Sequence, residues 1–150
     1  MIDYFFSFRG RIPRKHYWLA TLAIIALIAV AMGIGYGLLQ TGLNMFVALA
    51  IPGILILIAV VASFAVGVRR LHDRGKSWRW LIPFYILPNV LDPERLGAAA
   101  NTPAFWLITA LSFGLSMWGL VELGFLKGNA GTNEYGEDPL NPMPNAEVFE

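Results

Sequence analysis

Apolar residues dominate four stretches of this chain, separated by short polar punctuation. The first runs from Tyr17 to about Leu39, and the second from about Met45 to Val68. Between His16 and Arg69 there are 52 consecutive residues without a formal charge. As one straight helix they would extend about 78 Å, more than twice the ~30 Å hydrocarbon core of a bilayer. The pattern therefore predicts two crossings joined by a turn, with Gly37, Gln40, Thr41, Gly42 and Asn44 as turn formers. Within the second crossing, Pro52-Gly53 predicts a kink or a delayed helix start. Gly75 suits a helix C-cap, and Ser77 suits the cap of the next helix.

The third stretch, Trp80 to Leu91, is only 12 residues long and contains Pro83 and Pro88. As a helix it would reach about 18 Å, short enough to be re-entrant as well as spanning. The fourth, Ala104 to Leu126, is interrupted by a single charge, Glu122. From Gly128 onward the chain is polar and rich in Gly, Asn and Pro, which predicts a largely irregular tail. The expected fold is all-α, a multi-pass helical membrane protein. A helical transmembrane unit occupies residues 1–127 and the tail occupies 128–150.

Composition agrees with that pattern. Hydrophobic residues are 57% of the chain and charged residues 14%, where soluble domains carry about 25%. The basic start and Ala29-Val30-Ala31 imitate a secretory signal, but the apolar run continues too far for one, so no cleavage is expected. With no cysteine in the chain, disulfides, thiolate nucleophiles and sulfur-ligated metal sites are excluded. With two histidines as the remaining nitrogen ligands, no metal site and no cofactor are expected.

The net charge of +1 hides an uneven distribution. Arg9, Arg11, Arg14 and Lys15 precede the first crossing, while Arg69, Arg70, Arg74, Lys76 and Arg79 follow the second. The intervening turn has no basic residue. The positive-inside rule then places the amino terminus and the 69–79 loop in the cytoplasm. An even number of crossings would bring the tail to that side, and three would leave it outside.

Three motifs carry a resemblance. The first is Phe8-Arg9-Gly10-Arg11-Ile12-Pro13-Arg14-Lys15-His16-Tyr17-Trp18. The second is Arg69-Arg70-Leu71-His72-Asp73-Arg74-Gly75-Lys76-Ser77. The third runs from Gly128-Asn129-Ala130-Gly131 to Asp138-Pro139. In this order they resemble the domain-of-unknown-function 805 family of small bacterial inner-membrane proteins. The resemblance implies a multi-pass location in the bacterial plasma membrane and brings no catalytic residue with it.

The chemistry-bearing residues sort into three groups. Arg9, Arg11, Arg14, Lys15, Arg69, Arg70, Arg74 and Lys76 form a basic belt that suits anionic lipid headgroups or a protein partner, beyond setting orientation. His72, Asp73 and Glu122 are the buried or interfacial polar residues. Adjacent helical residues do not face each other, so His72-Asp73 is a poor relay; Asp73 instead sits three and four positions from Arg70 and Arg69. For Glu122 an ion pair with Arg69, Arg70 or Arg74 is expected. Gly33, Gly37, Ser63 and Gly67 lie on small-residue stripes and are expected at close helix contacts, within one chain or in a homo-oligomer.

Gly75-Lys76-Ser77 ends like a phosphate-binding loop but lacks the upstream glycine, which is Arg70 here. No nucleic-acid partner is expected. The leading reading is a non-enzymatic inner-membrane module that binds anionic lipid or a partner through its cytoplasmic basic and aromatic belt. One alternative is a small transporter or channel subunit, lined by Thr21, Ser63, Thr109, Ser112 and Ser116. Another is a membrane enzyme acting on lipid headgroups through His72, Asp73 and Glu122.

Overall fold

The computed structural model describes residues 6–142. Three of its helices are long and apolar enough to cross a membrane. The first, α1 (Arg14–Gln40), and the second, α2 (Met45–Asp73), form an antiparallel hairpin. Each exceeds a 30 Å core by several residues. The turn between them is tight: Thr41 and Gly42 donate to the carbonyls of Leu38 and Leu39 at 3.2 and 3.3 Å. Gly42 takes φ +76°, a conformation that glycine adopts without a Cβ penalty. Asn44 then caps α2 by accepting from the Phe46 N–H at 2.9 Å. Gly37 and Gln40 lie inside α1 and not in the turn, and α2 starts at Met45, so Pro52 does not delay the helix.

The far end of α2 closes with a Schellman motif. The Gly75 N–H donates to His72 O at 3.0 Å and the Lys76 N–H to Leu71 O at 2.9 Å, with Gly75 at φ +66°. Helix α2 therefore outlasts its apolar run by one turn and carries Arg69 to Asp73 on helical backbone. Ser77 occupies the cap position of the following 3-10 turn, Trp78–Trp80, without a side-chain hydrogen bond.

The third stretch is helical but irregular: the 3-10 turn passes into a π-helical turn, Ile82–Ile86, and then a short α-helix, α3 (Leu87–Val90). Pro83 and Pro88 each lack an N–H, which breaks the regular α ladder here. Thr102 caps the next helix, accepting from the Phe105 N–H at 3.3 Å, and Pro103 opens it. This helix, α4 (Pro103–Leu120), ends in a π turn, Val121–Phe125. It runs back along the third stretch. Ser112 Oγ donates to Pro88 O at 2.9 Å, and the Trp118 ring meets Phe84 edge-on at 5.2 Å.

The tail thus returns to the end that holds the amino-terminal motif and the 69–79 loop, where the Asn129 N–H donates to Asp73 O at 2.7 Å. Among the described residues its one ladder contact is the Asn133–Gly136 bridge. Leu22, Ile25, Met32, Ile54, Leu57, Leu107 and Phe113 face outward. An apolar surface of that extent requires lipid as its solvent.

Within one chain the small-residue stripe in α1 does not supply the contact with α2. Gly33 and Gly37 are exposed, and a Cβ at either would meet nothing within 4 Å. The face of α1 turned to α2 is instead Tyr17, Ala20, Ile24, Ala31 and Gly35. There a Cβ on Gly35 would come 3.3 Å from Pro52 Cγ. In α2, Gly67 does sit at a close contact, its Cβ position 3.1 Å from Leu81 Cδ2, and Ser63 is half-buried.

Candidate functional site

The three sequence motifs converge on one buried polar network. At its centre is Asp73, 3% exposed, at the last turn of α2. One carboxylate oxygen accepts from Arg11 Nε at 3.2 Å. The other accepts from Arg70, one helical turn earlier. Arg70 is wholly buried. Its remaining donors reach Leu123 O at 2.7 Å, Ile12 O at 3.4 Å and Leu126 O. These carbonyls belong to the end of the π turn and to the loop before α1, so one guanidinium ties three chain segments together. Arg11, 6% exposed, does the same for the tail. It donates to Gly131 O at 2.6 Å, to Gly136 O at 3.3 Å and to Asn129 O.

Arginine is suited to this role because its planar fork presents five donors and stays charged. Two buried guanidinium groups on one carboxylate leave a net positive charge. The carbonyl oxygens that ring them supply the compensating partial charge.

A second cluster lies beside the first. Glu122, 4% exposed, accepts from Arg74 Nε at 3.0 Å and Lys76 Nζ at 2.9 Å. Arg74 also reaches Lys127 O, and Lys76 lies 4.5 Å over the Trp80 ring. The lone charge of the fourth apolar stretch is therefore neutralised at the helix end, by Arg74 as expected and by Lys76 in addition.

His72 has different company. Its ring stacks on Tyr135 at 3.9 Å and an interplanar angle of 4°, and its Nδ1 lies 3.2 Å from Gly10 O. The His72 carbonyl accepts from Asn133 Nδ2 at 2.9 Å. The backbone N–H groups of Leu140 and Gly131 donate to Asp138 at 2.9 and 3.2 Å, holding its carboxyl below the ordinary value. Residues 129–140 thus form a clasp fastened to Arg11, His72 and Asp73.

Among the predicted belt residues, Arg11 and Arg70 are withdrawn from any lipid-facing role. They are buried, and they are satisfied by protein acceptors. Arg74 and Lys76 are half-buried on Glu122. Arg69 is half-buried, whereas Arg9, Arg14 and Lys15 are exposed, as is Arg79. Arg14 makes a long bond to Phe125 O at 3.4 Å.

His72, Asp73 and Glu122 do not act on one another: each is bound to a different partner. His72 lines an apolar cavity between α2 and the third stretch, while Asp73 lines a separate polar one with Arg14 and Lys127. Of the intramembrane hydroxyls, Thr109, Ser112 and Ser116 donate to backbone carbonyls at 2.8, 2.9 and 3.0 Å. Thr21 and Ser63 share a small cavity with Tyr17 and Tyr85. Among the described residues, no group of three or more histidine, aspartate or glutamate side chains is arranged to hold a metal ion. Glu147 and Glu150 of the acidic tail lie outside the described residues.

The sequence matches a family whose model carries the description "Protein of unknown function (DUF805)", over residues 5–137. The chain belongs to this family. In Escherichia coli (strain K12) it is similar to "Uncharacterized protein YiiR", 30% identical over 142 residues, covering 91% of this chain and 88% of that protein. It is similar also to "Inner membrane protein YhaI" of the same strain, 28% identical over 135 residues, covering 89% and 86%. No solved structure matches. Together with the three apolar helices, this kinship makes the chain an integral membrane protein of the bacterial inner membrane. The match to the family covers the first two motifs whole and the third as far as Glu137.

Two features of the network were not visible in the sequence: the Arg11–Asp73 pair and the tail clasp. The signal that could have found them is the spread of arginines and glycines over all three motifs, which suits guanidinium donors meeting bare carbonyls.

Proposed function

We propose that this protein is a non-enzymatic inner-membrane module whose cytoplasmic end recognises anionic lipid headgroups. Arg9, Arg14, Lys15 and Arg79 do the work, assisted by the interfacial aromatics Phe8 and Trp78. The observation that carries the reading is the division of the basic residues into two sets. Arg11, Arg70, Arg74 and Lys76 are used up on Asp73 and Glu122. Arg9, Lys15 and Arg79 are exposed at the same end, and among the described residues no carboxylate lies within ion-pairing distance of them. The orientation follows from the basic end lying on the side that the positive-inside rule makes cytoplasmic.

Each exposed Lys or Arg near an anionic leaflet is worth about 1 kcal/mol, weakened by salt. The crossings already anchor the chain. The cations therefore act in selecting which lipid sits beside it. Native mass spectrometry of the detergent-purified protein with phosphatidylglycerol and phosphatidylcholine tests this. The wild type should retain phosphatidylglycerol preferentially, less so as salt rises. The triple variant Arg9→Gln, Lys15→Gln, Arg79→Gln should lose the preference while melting normally. Equal retention of both lipids by the wild type refutes the reading, and a bound protein in place of lipid would make the belt a partner site.

A further inference from the structure

The apolar cavity beside His72 gives that lipid a defined place. On α2, Phe64, Val68 and His72 follow one another at intervals of four and form one wall, since residues four apart share a helix face. Ile82 and Ile86, also four apart on the third stretch, form the opposite wall. The space between them measures about 370 Å³ and its lining is almost entirely apolar, which is within the ~300–1,000 Å³ typical of small-molecule sites.

The irregular helix of the third stretch borders this space. A π turn, Ile82–Ile86, begins next to Pro83 and carries both isoleucines of the opposite wall. Two more side chains of the lining, Phe8 and Trp78, are exposed aromatics. Each is followed immediately in the chain by an exposed cation, Arg9 and Arg79. Among the described residues the one polar side chain of the lining is His72, held by Tyr135 and Gly10.

We propose that this cavity takes one acyl chain of an anionic phospholipid, whose phosphate lies between Arg9 and Arg79. This rests on the headgroup reading above and adds to it a single site of fixed position. Charge complementarity decides the occupant. An apolar slot in a bilayer fills with a hydrocarbon chain, and two cations beside its aromatic rim, with no carboxylate at ion-pairing distance among the described residues, select a lipid whose headgroup is negative. Among the described residues His72 alone offers a polar solute a partner in the walls, and a water-filled apolar slot is disfavoured.

Phosphatidylglycerol with a photoactivatable group on its acyl chain, incorporated into vesicles with the wild-type protein, tests the site directly. Crosslinks should map to Phe64, Val68, Ile82 or Ile86. Ile82→Trp and Ile86→Trp fill the slot from its open side, where both side chains are about two-fifths exposed. Either should lower the phosphatidylglycerol retained in native mass spectrometry about tenfold, with the salt-dependent preference for the remaining surface lipid kept.

Preference for phosphatidylglycerol in the wild type, with crosslinks on α4 and no effect of either tryptophan, overturns the cavity site and leaves the headgroup reading standing. No preference at all overturns both. A dimer mass that disappears with Ile82→Trp would show that a second copy fills the slot, which also overturns the proposal. Should the tryptophan variants fail to fold, the crosslink positions on the wild type decide alone.

Discussion

Arg11 and Asp73, 62 positions apart in the chain, meet through a 3.2 Å ion pair with both side chains almost wholly buried. The pair joins the segment before the first crossing to the end of the second. Asp73 also holds Arg70, so one carboxylate serves two guanidinium groups. Removing it strands two buried positive charges, whereas removing one arginine strands none. The asymmetry makes Asp73 the residue whose loss costs most.

Asp73→Asn should therefore destabilise the fold strongly, by roughly 3–5 kcal/mol, as for a broken buried pair. Arg11→Met should cost less, because Arg70 still neutralises the carboxylate. Thermal unfolding in a fixed detergent, with the double variant closing the cycle, checks both. A smaller loss for Asp73→Asn than for Arg11→Met would show that the backbone carbonyls alone hold the two guanidinium groups.

Helix contacts give a sharper test because neighbouring glycines differ. A Cβ on Gly119 would lie 2.9 Å from Phe84 Cβ, whose ring is held by Trp80 and Trp118. Gly119→Ala should destabilise by about 1–3 kcal/mol through overpacking. Gly33→Ala meets open space and should change stability by no more than about 0.5 kcal/mol. Paired melting curves of the two variants settle which stripe carries the packing.

The crossings were legible because a charge-free run of that length admits one physical explanation. The ion pairs on Asp73 and Glu122 were legible where helical spacing or a helix end brought the partners close, as for Arg70 and Arg74. Arg11 was not, since nothing local links it to a carboxylate 62 positions on. The glycine stripe did not locate the contact within the chain for a related reason. Gly33 and Gly35 lie two positions apart and so face opposite sides of α1, and spacing alone does not say which side meets α2. In the third stretch, Pro83 and Pro88 announced a break in the α ladder without revealing the π turn that results.

The tail clasp should come loose as a unit. Tyr135→Ala together with Asn133→Ala removes the ring stacked on His72 and the bond to its carbonyl. The expected loss is about 1–2 kcal/mol, local to residues 129–140. Hydrogen exchange should speed up there while α1 and α2 keep their protection. Asp138 titrates below its ordinary value when the clasp is closed. Its contribution is therefore present above the unfolded value near 3.9 and lost as pH falls through the folded one. The part of clasp protection that Asp138 supplies should hold from pH 7 to about pH 5 and fade only in more acidic solution.

Topology joins the clasp to the membrane. The tail bonds to the segment that precedes the first crossing, so both must lie on one side of the bilayer, and the turn at Thr41 must lie on the other. Single cysteines at Thr41 and Asn141, both exposed positions, can be probed on intact spheroplasts with an impermeant thiol reagent. Thr41→Cys should label from outside and Asn141→Cys only after lysis. Labelling of Asn141→Cys alone on intact cells would turn the molecule over and place the basic end outside, away from the leaflet assumed for the lipid reading. Labelling of both would mean that the tail leaves its clasp and that the 80–125 segment crosses once. Arg11 would then lose its carbonyl acceptors but keep Asp73, and the Arg11→Met variant would lose less stability than the closed clasp implies.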